Sequence, residues 1–425
     1  MKFEPTLYKL SNGIPVILDP MDLETVNVKI IFKTGGRDET ADEKGITHFC
    51  EHMFCKGTPR FPTQRSVDDF LDYNAGGKNA FTGNSALCFY GRILGENVNV
   101  LIDVLCDQIQ NALFADDKIE IERHVISDEL RRALDSQTSQ LAVFRDKTLF
   151  GWDVPNGVPV FGSFENIARF SRTQMREYIA RRMSAKNCIV GISGCIKDKD
   201  SVLGFLDKAL SFLPQIDVSE NRDIEYKPAV AHNLKDTNKN VKLRIYFPRL
   251  YDSNLENRYK LYSAGKLYRF MLEELYEIIR HENGLVYVFN GVSCGNEIFK
   301  LDGFGTQTAP ETVGRVVALT AKNAYKMYNE SVVTAEVLDR FTNSNRLDHA
   351  NFMESASKRC EQLVDFYAMY EKIYDFDEVI RLSSSVTPED VIKYSRGMFD
   401  GPMSIITQGQ KFDGDLKQIW YDNFK

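Results

Sequence analysis

An α+β fold in two homologous domains, each a mainly antiparallel sheet packed with helices, is predicted by three observations. Val26, Val28, Ile30 and Phe32 alternate with Asn27, Lys29, Ile31 and Lys33, the two-residue period of a strand with one apolar face. The same pattern returns at Val241, Leu243, Ile245 and Phe247, and long helical stretches follow it both times. Between the two, Pro214 to Pro228 is polar, acidic, bracketed by prolines and without periodicity. A chain of 425 residues is too long for one core. The halves are similar in length and order, as a degenerate duplication of about 210 residues would leave them. The expected domains are therefore 1–215 and 229–425, with 216–228 as linker.

In order, Leu7 to Leu18 reads as a hairpin around Asn12-Gly13. The alternating strand from Val26 ends at Gly35-Gly36. A helix is expected from about Asp42-Glu43-Lys44-Gly45 until Lys56-Gly57-Thr58-Pro59 stops it. Ser66 is expected to cap a second helix through Val67, Phe70 and Leu71. Strand-like runs cover Asn79 to Thr82 and Ala86 to Ile93, and Asn97 to Leu113 is an amphipathic helix. Asp116 opens another helix, to about Ser136, with Ile119, Ile126, Leu130 and Ala133 as its apolar stripe. Residues 172 to 213 read as helix, strand (Asn187 to Ile192) and helix. In the second half, a long helix is expected from Asn257 to Glu282 and a strand from Leu285 to Val292. Further helices fit 310–330, 334–350 and 354–382. Thr387-Pro388-Glu389-Asp390 is a capped helix start, and Met403 to Thr407 is a short strand.

With 43% of its residues hydrophobic, the chain fills ordinary globular cores. Its net charge of -7 comes from interspersed charges, and no basic block points to nucleic acid. No stretch approaches the roughly 18 apolar residues of a membrane span, and the N-terminus has neither the apolar run nor the Arg/Ser bias of a targeting segment. The eight cysteines are scattered, with no C-x-x-C pair, and several lie in apolar runs. That usage fits a reducing compartment, so a cytoplasmic, soluble protein is expected.

The chemistry starts at His48-Phe49-Cys50-Glu51-His52. On a helix, His48 and His52 lie about 40° apart, with Glu51 about 60° to the other side of His48. Two imidazoles and a carboxylate then share one small volume, which suits zinc held by neutral histidines, with the carboxylate taking a proton from the attacking water. A solvated helix face would carry the same five residues. Cys50 and Cys55 flank the pair as candidate thiolate ligands, although Cys50 falls on the side away from His52. On the later helix, Glu122 and Glu129 stack within about 20° of each other and border the apolar stripe. A carboxylate there needs a partner, for which a metal or a histidine would serve. Surface glutamates on a charged helix are the alternative. His124 lies about 140° from Glu129, which argues against it as a ligand.

At this point the chain resembles the pitrilysin/insulinase-like zinc metallopeptidases, which carry the inverted His-x-x-Glu-His order. The resemblance is closest to mitochondrial processing peptidase-like and small bacterial two-domain members. It continues into Met53-Phe54-Cys55-Lys56-Gly57-Thr58. The family's third ligand, a glutamate, is separated from the second histidine by 76 intervening residues, which lands on Glu129, and its supporting glutamate falls on Glu122. Gly76-Gly77-Lys78-Asn79-Ala80-Phe81-Thr82 is similar to the edge strand that pairs with substrate, making Asn79, Ala80, Phe81 and Thr82 substrate-binding residues. Arg280-His281-Glu282-Asn283-Gly284-Leu285-Val286-Tyr287 looks like the segment whose arginine and tyrosine act on the substrate carbonyl.

The resemblance implies a zinc endopeptidase with one Zn2+ per chain. His48, His52 and Glu129 would be its ligands, Glu51 its general base, Glu122 a supporting residue, and Arg280 and Tyr287 its carbonyl-binding pair. It also implies that the chain is half of a clamshell, because longer members enclose substrate with four such domains. A homodimer is then expected, or a heterodimer with a related subunit. Two other classes share the architecture: a non-catalytic core or partner subunit, and a peptide-binding module with a structural metal. Loss of Glu51 or Glu129 would mark the first, and a fourth protein ligand the second. Neither mark is found.

Overall fold

The computed structural model describes residues 3–151, 160–221, 225–249, 255–270, 275–295, 299–329 and 333–425. Two sheets, each with its own helices, form two compact units. The first holds β1 (Thr6–Lys9), β2 (Pro15–Pro20), β3 (Thr25–Phe32), β4 (Gly77–Thr82), β5 (Leu87–Leu94) and β6 (Cys188–Gly194), in the order β1-β2-β6-β3-β5-β4. Only β2 and β6 run parallel; the other neighbours are antiparallel. One face carries Val26, Val28, Ile30 and Phe32 into a core with Phe49 and Phe54 of helix Ile46–Phe54 and Leu101 and Leu105 of helix Val98–Asn111. The expected apolar face of β3 is thus the core face.

The opposite face of β3 is not solvated, as its polar residues suggest. Lys29 and Ile31 are only 6% and 3% exposed. Helix Ala356–Tyr370, from the far half of the sequence, lies across β2, β3 and β6. Burying Lys29 requires a counter-charge, and its Nζ donates to Asp365 Oδ1 at 2.8 Å. Arg359 and Asp19 are both fully buried and form a two-pronged ion pair, with Arg359 Nε donating to Asp19 Oδ2 at 2.7 Å. Gly191 permits the close approach, since a Cβ there would lie 2.2 Å from Val364 Cγ2.

The second unit holds β7 (Val230–Leu234), β8 (Val241–Pro248), β9 (Phe289–Gly295), β10 (Lys300–Thr308) and β11 (Ser404–Gly409), in the order β7-β11-β8-β10-β9. This repeats β2-β6-β3-β5-β4, with the parallel pair in the corresponding place, the pattern a duplication leaves. Helix Gln137–Phe150, from the first half, packs on β11 and β7. The units are Met1–Ser136 with Asp153–Asp223 and His349–Tyr374, and Gln137–Trp152 with Ile224–Asp348 and Asp375–Lys425. The main crossing falls within 216–228, but each unit also takes one segment from the other side of that stretch.

Several expected elements differ in detail. Thr63, not Ser66, caps helix Gln64–Tyr73, and Ser66 answers from the third helical position in a capping box. The expected helix 354–382 is two helices, Ala356–Tyr370 and Phe376–Ser384, parted at Glu371 (φ +51°). The long helix expected over 257–282 is helical at Leu255–Phe270 and ends in a π-helical turn, Glu277–Glu282; residues 271–274 lie outside the described residues. The strand expected at Leu285 begins at Phe289. Gly284 (φ +62°) closes the π turn, and Thr308 and Thr306 of β10 donate hydroxyls to the Leu285 and Val288 carbonyls, replacing backbone ladder bonds there.

Candidate metal centre

The motif helix runs Ile46–Phe54. Phe49, Cys50, Met53 and Phe54 pack inward, which rotates His48, Glu51 and His52 towards one side. Its start is tightly built. Gly45 takes φ +96°, and a Cβ there would lie 2.6 Å from the Phe161 carbonyl oxygen. No residue at the helix start caps it with a side chain; Glu39, from upstream, does so instead. Its two carboxylate oxygens accept from the backbone N–H groups of Gly45 and Thr47, each at 2.8 Å. Burial pushes the Glu39 carboxyl up to about 7 against the pull of those donors. Nothing in the sequence singles out Glu39, because it lies outside any local capping pattern.

Helix Asp116–Asp135 brings Glu122 and Glu129 against the motif helix. Glu129 Oε2 lies 3.8 Å from His48 Nε2 and 3.5 Å from His52 Nε2. The ligand atoms of His48, His52 and Glu129 all fall within 4.8 Å of one another, the one such group among the described residues. Tetrahedral zinc with nitrogen and oxygen ligands at about 2.1 Å separates neighbouring ligand atoms by about 3.4 Å, and the two distances from Glu129 to the histidines lie near that spacing, so the cluster is compatible with the ion. Burial, with His52 beside it, lowers His48 to about 3, so its imidazole is neutral, the form that binds metal. The Phe161 ring stands edge-on to His48 at 5.0 Å.

Glu122, 3% exposed, shares an Nδ1 proton with His52 at 2.8 Å, leaving Nε2 free to face Glu129. Its other oxygen pairs with Lys56 Nζ at 2.8 Å, and Lys56 also donates to Gln64 Oε1 at 3.1 Å. Lys56 was missed by sequence reasoning, which stopped at the carboxylate. His124 is exposed and apart from this group. Cys50 and Cys55 do not join it either. Cys50 is fully buried with Sγ towards the Met175 carbonyl, and burial raises both thiols, which disfavours the thiolate a metal needs.

Glu51 projects beside the cluster, and burial raises its carboxyl while its bond from Thr82 opposes the shift. Asn79, Ala80, Phe81 and Thr82 lie on β4, the outermost strand of the first sheet. β4 pairs with β5 alone among the described residues, so its outer edge carries no second strand, although the Ala80 N–H on that edge is met by Asn79 Oδ1. Arg280 and Tyr287 belong to the second unit. Arg280 lies in the π turn, its guanidinium 5.0 Å from the Tyr276 ring and 4.7 Å from the Tyr287 ring. Tyr287 precedes β9 and is 78% exposed, which leaves its hydroxyl available to a ligand.

A family model described as Insulinase (Peptidase family M16) matches residues 17–150, and one described as Peptidase M16 inactive domain matches residues 169–344. A Rickettsia bellii protein named an uncharacterized zinc protease is 26% identical over 409 residues, 94% of this chain and 96% of that one. A protease from Helicobacter pylori has a TM-score of 0.84 at 17% identity, covering 96% of this chain and 99% of that one. A chain of Complex III2 from Candida albicans has a TM-score of 0.82 at 14% identity, covering 98% and 99%. At such identities the two structures speak for the fold alone. Among the described residues, no helix is long and apolar enough to cross a membrane. With family models matching both halves and a named zinc protease aligned along nearly its whole length, the chain belongs to the insulinase (M16) peptidase family.

Proposed function

We propose that this chain is a zinc-dependent endopeptidase acting on extended, unfolded peptides. The observation that carries the reading is the convergence of His48, His52 and Glu129 beside Glu51, at the end of an open edge strand. His48, His52 and Glu129 would hold the ion, which when bound supplies a Lewis acid that makes water nucleophilic at neutral pH. Glu122 orients His52, and Lys56 anchors Glu122. The peptide adds as a strand along Asn79 to Thr82, so backbone hydrogen bonds give affinity with little sequence preference. Glu51 takes the proton of the attacking water and returns it to the leaving amine. Arg280 and Tyr287 donate to the carbonyl oxygen as it gains charge.

Zinc analysis combined with turnover of a quenched fluorescent peptide tests this directly. Short unfolded peptides will be cut, and a stably folded protein will resist until it unfolds. Equal rates on the folded and unfolded forms of one substrate would refute strand addition.

The assembly we propose is a homodimer that encloses the substrate. Each centre would join His48, Glu51, His52 and Glu129 of one copy to Arg280 and Tyr287 of the other, as a two-fold arrangement allows. Two inactive variants separate this from sites closed within one chain: Glu51→Gln, and Arg280→Ala with Tyr287→Phe. Mixing them will restore activity, because one site of each mixed dimer is wild type. A mixture that stays inactive, with subunit exchange verified by native mass spectrometry, rules the shared site out.

A further inference from the structure

Thr82 is the last residue of β4, the strand on which the proposed peptide would lie, yet its hydroxyl is already engaged. Thr82 Oγ1 donates to Glu51 Oε2 at 2.8 Å. The next residue turns the other way: Gly83 N–H donates to the Ala86 carbonyl at 2.8 Å, within the β4–β5 turn. The Thr82 N–H therefore lies on the open side of the strand, where successive N–H groups alternate. Neighbouring Ala80 N–H is covered by Asn79 Oδ1 at 2.9 Å. Thr82 differs in that its hydroxyl meets the proposed base.

We infer that Thr82 is a positioning residue that holds the Glu51 carboxylate in one orientation for proton transfer. A glutamate side chain has three rotatable bonds, and proton transfer requires its oxygen within hydrogen-bond reach of the water and then of the amine. Thr82 removes that freedom, and it does so from the strand that receives the peptide. Base and substrate therefore share one rigid support. This inference rests on the reading of Glu51 as the base.

The test uses the full-length, zinc-loaded protein with Thr82→Val and Thr82→Ser. Valine keeps the shape and the strand preference and removes the hydroxyl; serine keeps the hydroxyl. Misplacing a catalytic group lowers the chemical step rather than binding, so Thr82→Val will lose about tenfold or more in kcat with KM and zinc content within about twofold of wild type. Thr82→Ser will recover kcat to within about threefold of wild type. In crystals of the zinc-free valine variant, the Glu51 carboxylate will leave its present orientation. A valine variant with wild-type kcat, one whose loss lies in KM, one that loses zinc, or one with Glu51 unmoved would each overturn the inference. If wild type itself cuts no peptide, the peptidase reading fails. If wild type is active, Glu51→Gln is dead and Thr82→Val is normal, that reading stands and only this inference falls.

Discussion

Glu51→Gln will retain its zinc and lose about 10²–10⁴-fold in turnover, the usual contribution of a general base. Glu129→Gln will lose most of the metal. The two carboxylates are close together but stand in different relations to the histidines. Glu129 Oε2 approaches both Nε2 atoms, at 3.5 and 3.8 Å, whereas Glu51 Oε2 accepts a hydrogen bond from Thr82. Replacing Glu129 by an amide removes a negative charge from the ligand set, and replacing Glu51 removes only a proton acceptor. Glu122→Gln sits between them. It keeps a hydrogen-bonding oxygen for His52 but gives up the charge that Lys56 neutralises, so zinc affinity will fall by about 10–100-fold. Metal analysis and isothermal titration with zinc, alongside peptide turnover, read all three. Equal metal loss in Glu51→Gln and Glu129→Gln would show that the roles are assigned wrongly.

Arg359→Met will destabilise the first unit by about 3–5 kcal/mol, because it leaves Asp19 charged, buried and unpaired. Both residues are 0% exposed in the structure, so solvent cannot screen the loss. Adding Asp19→Leu to the same chain will restore most of the stability, since an apolar pair of similar volume has no charge to desolvate. The urea midpoint, followed by circular dichroism, measures both. A single variant with an unchanged midpoint would mean that helix Ala356–Tyr370 is not part of the folded first unit. By the same logic Gly191→Val will drive that helix off β6, because its Cβ alone would meet Val364 at 2.2 Å.

These two predictions draw on different sources of information. The histidine pair, its glutamate and the Glu122/Glu129 pair were legible because helical geometry is local: residues four or seven apart share a face whatever surrounds them. The strand beginning near Val26 and its counterpart near Val241 were legible for the same reason, through a period of two. The spacing from His52 to Glu129 was legible only through the family resemblance, since no local rule reaches across 76 residues.

What the tertiary structure alone decided is everything held by contacts between distant residues. Lys29 and Ile31 alternate with apolar residues and so read as an outer face. They are buried because a helix more than 300 residues away covers them. Arg359 and Asp19 are 340 positions apart, and neither has a local signal. Glu39 caps the motif helix from outside the capping positions. Lys56 anchors Glu122 across 66 residues, and Thr82 reaches Glu51 across 31. The π turn at Arg280 replaces an expected regular helix end, and threonine hydroxyls from β10 delay the following strand to Phe289. Local periodicity reports which way a side chain points relative to its own backbone. Which atoms meet it there depends on how the sheets and helices close, and that is where the supports of this histidine–glutamate cluster lie.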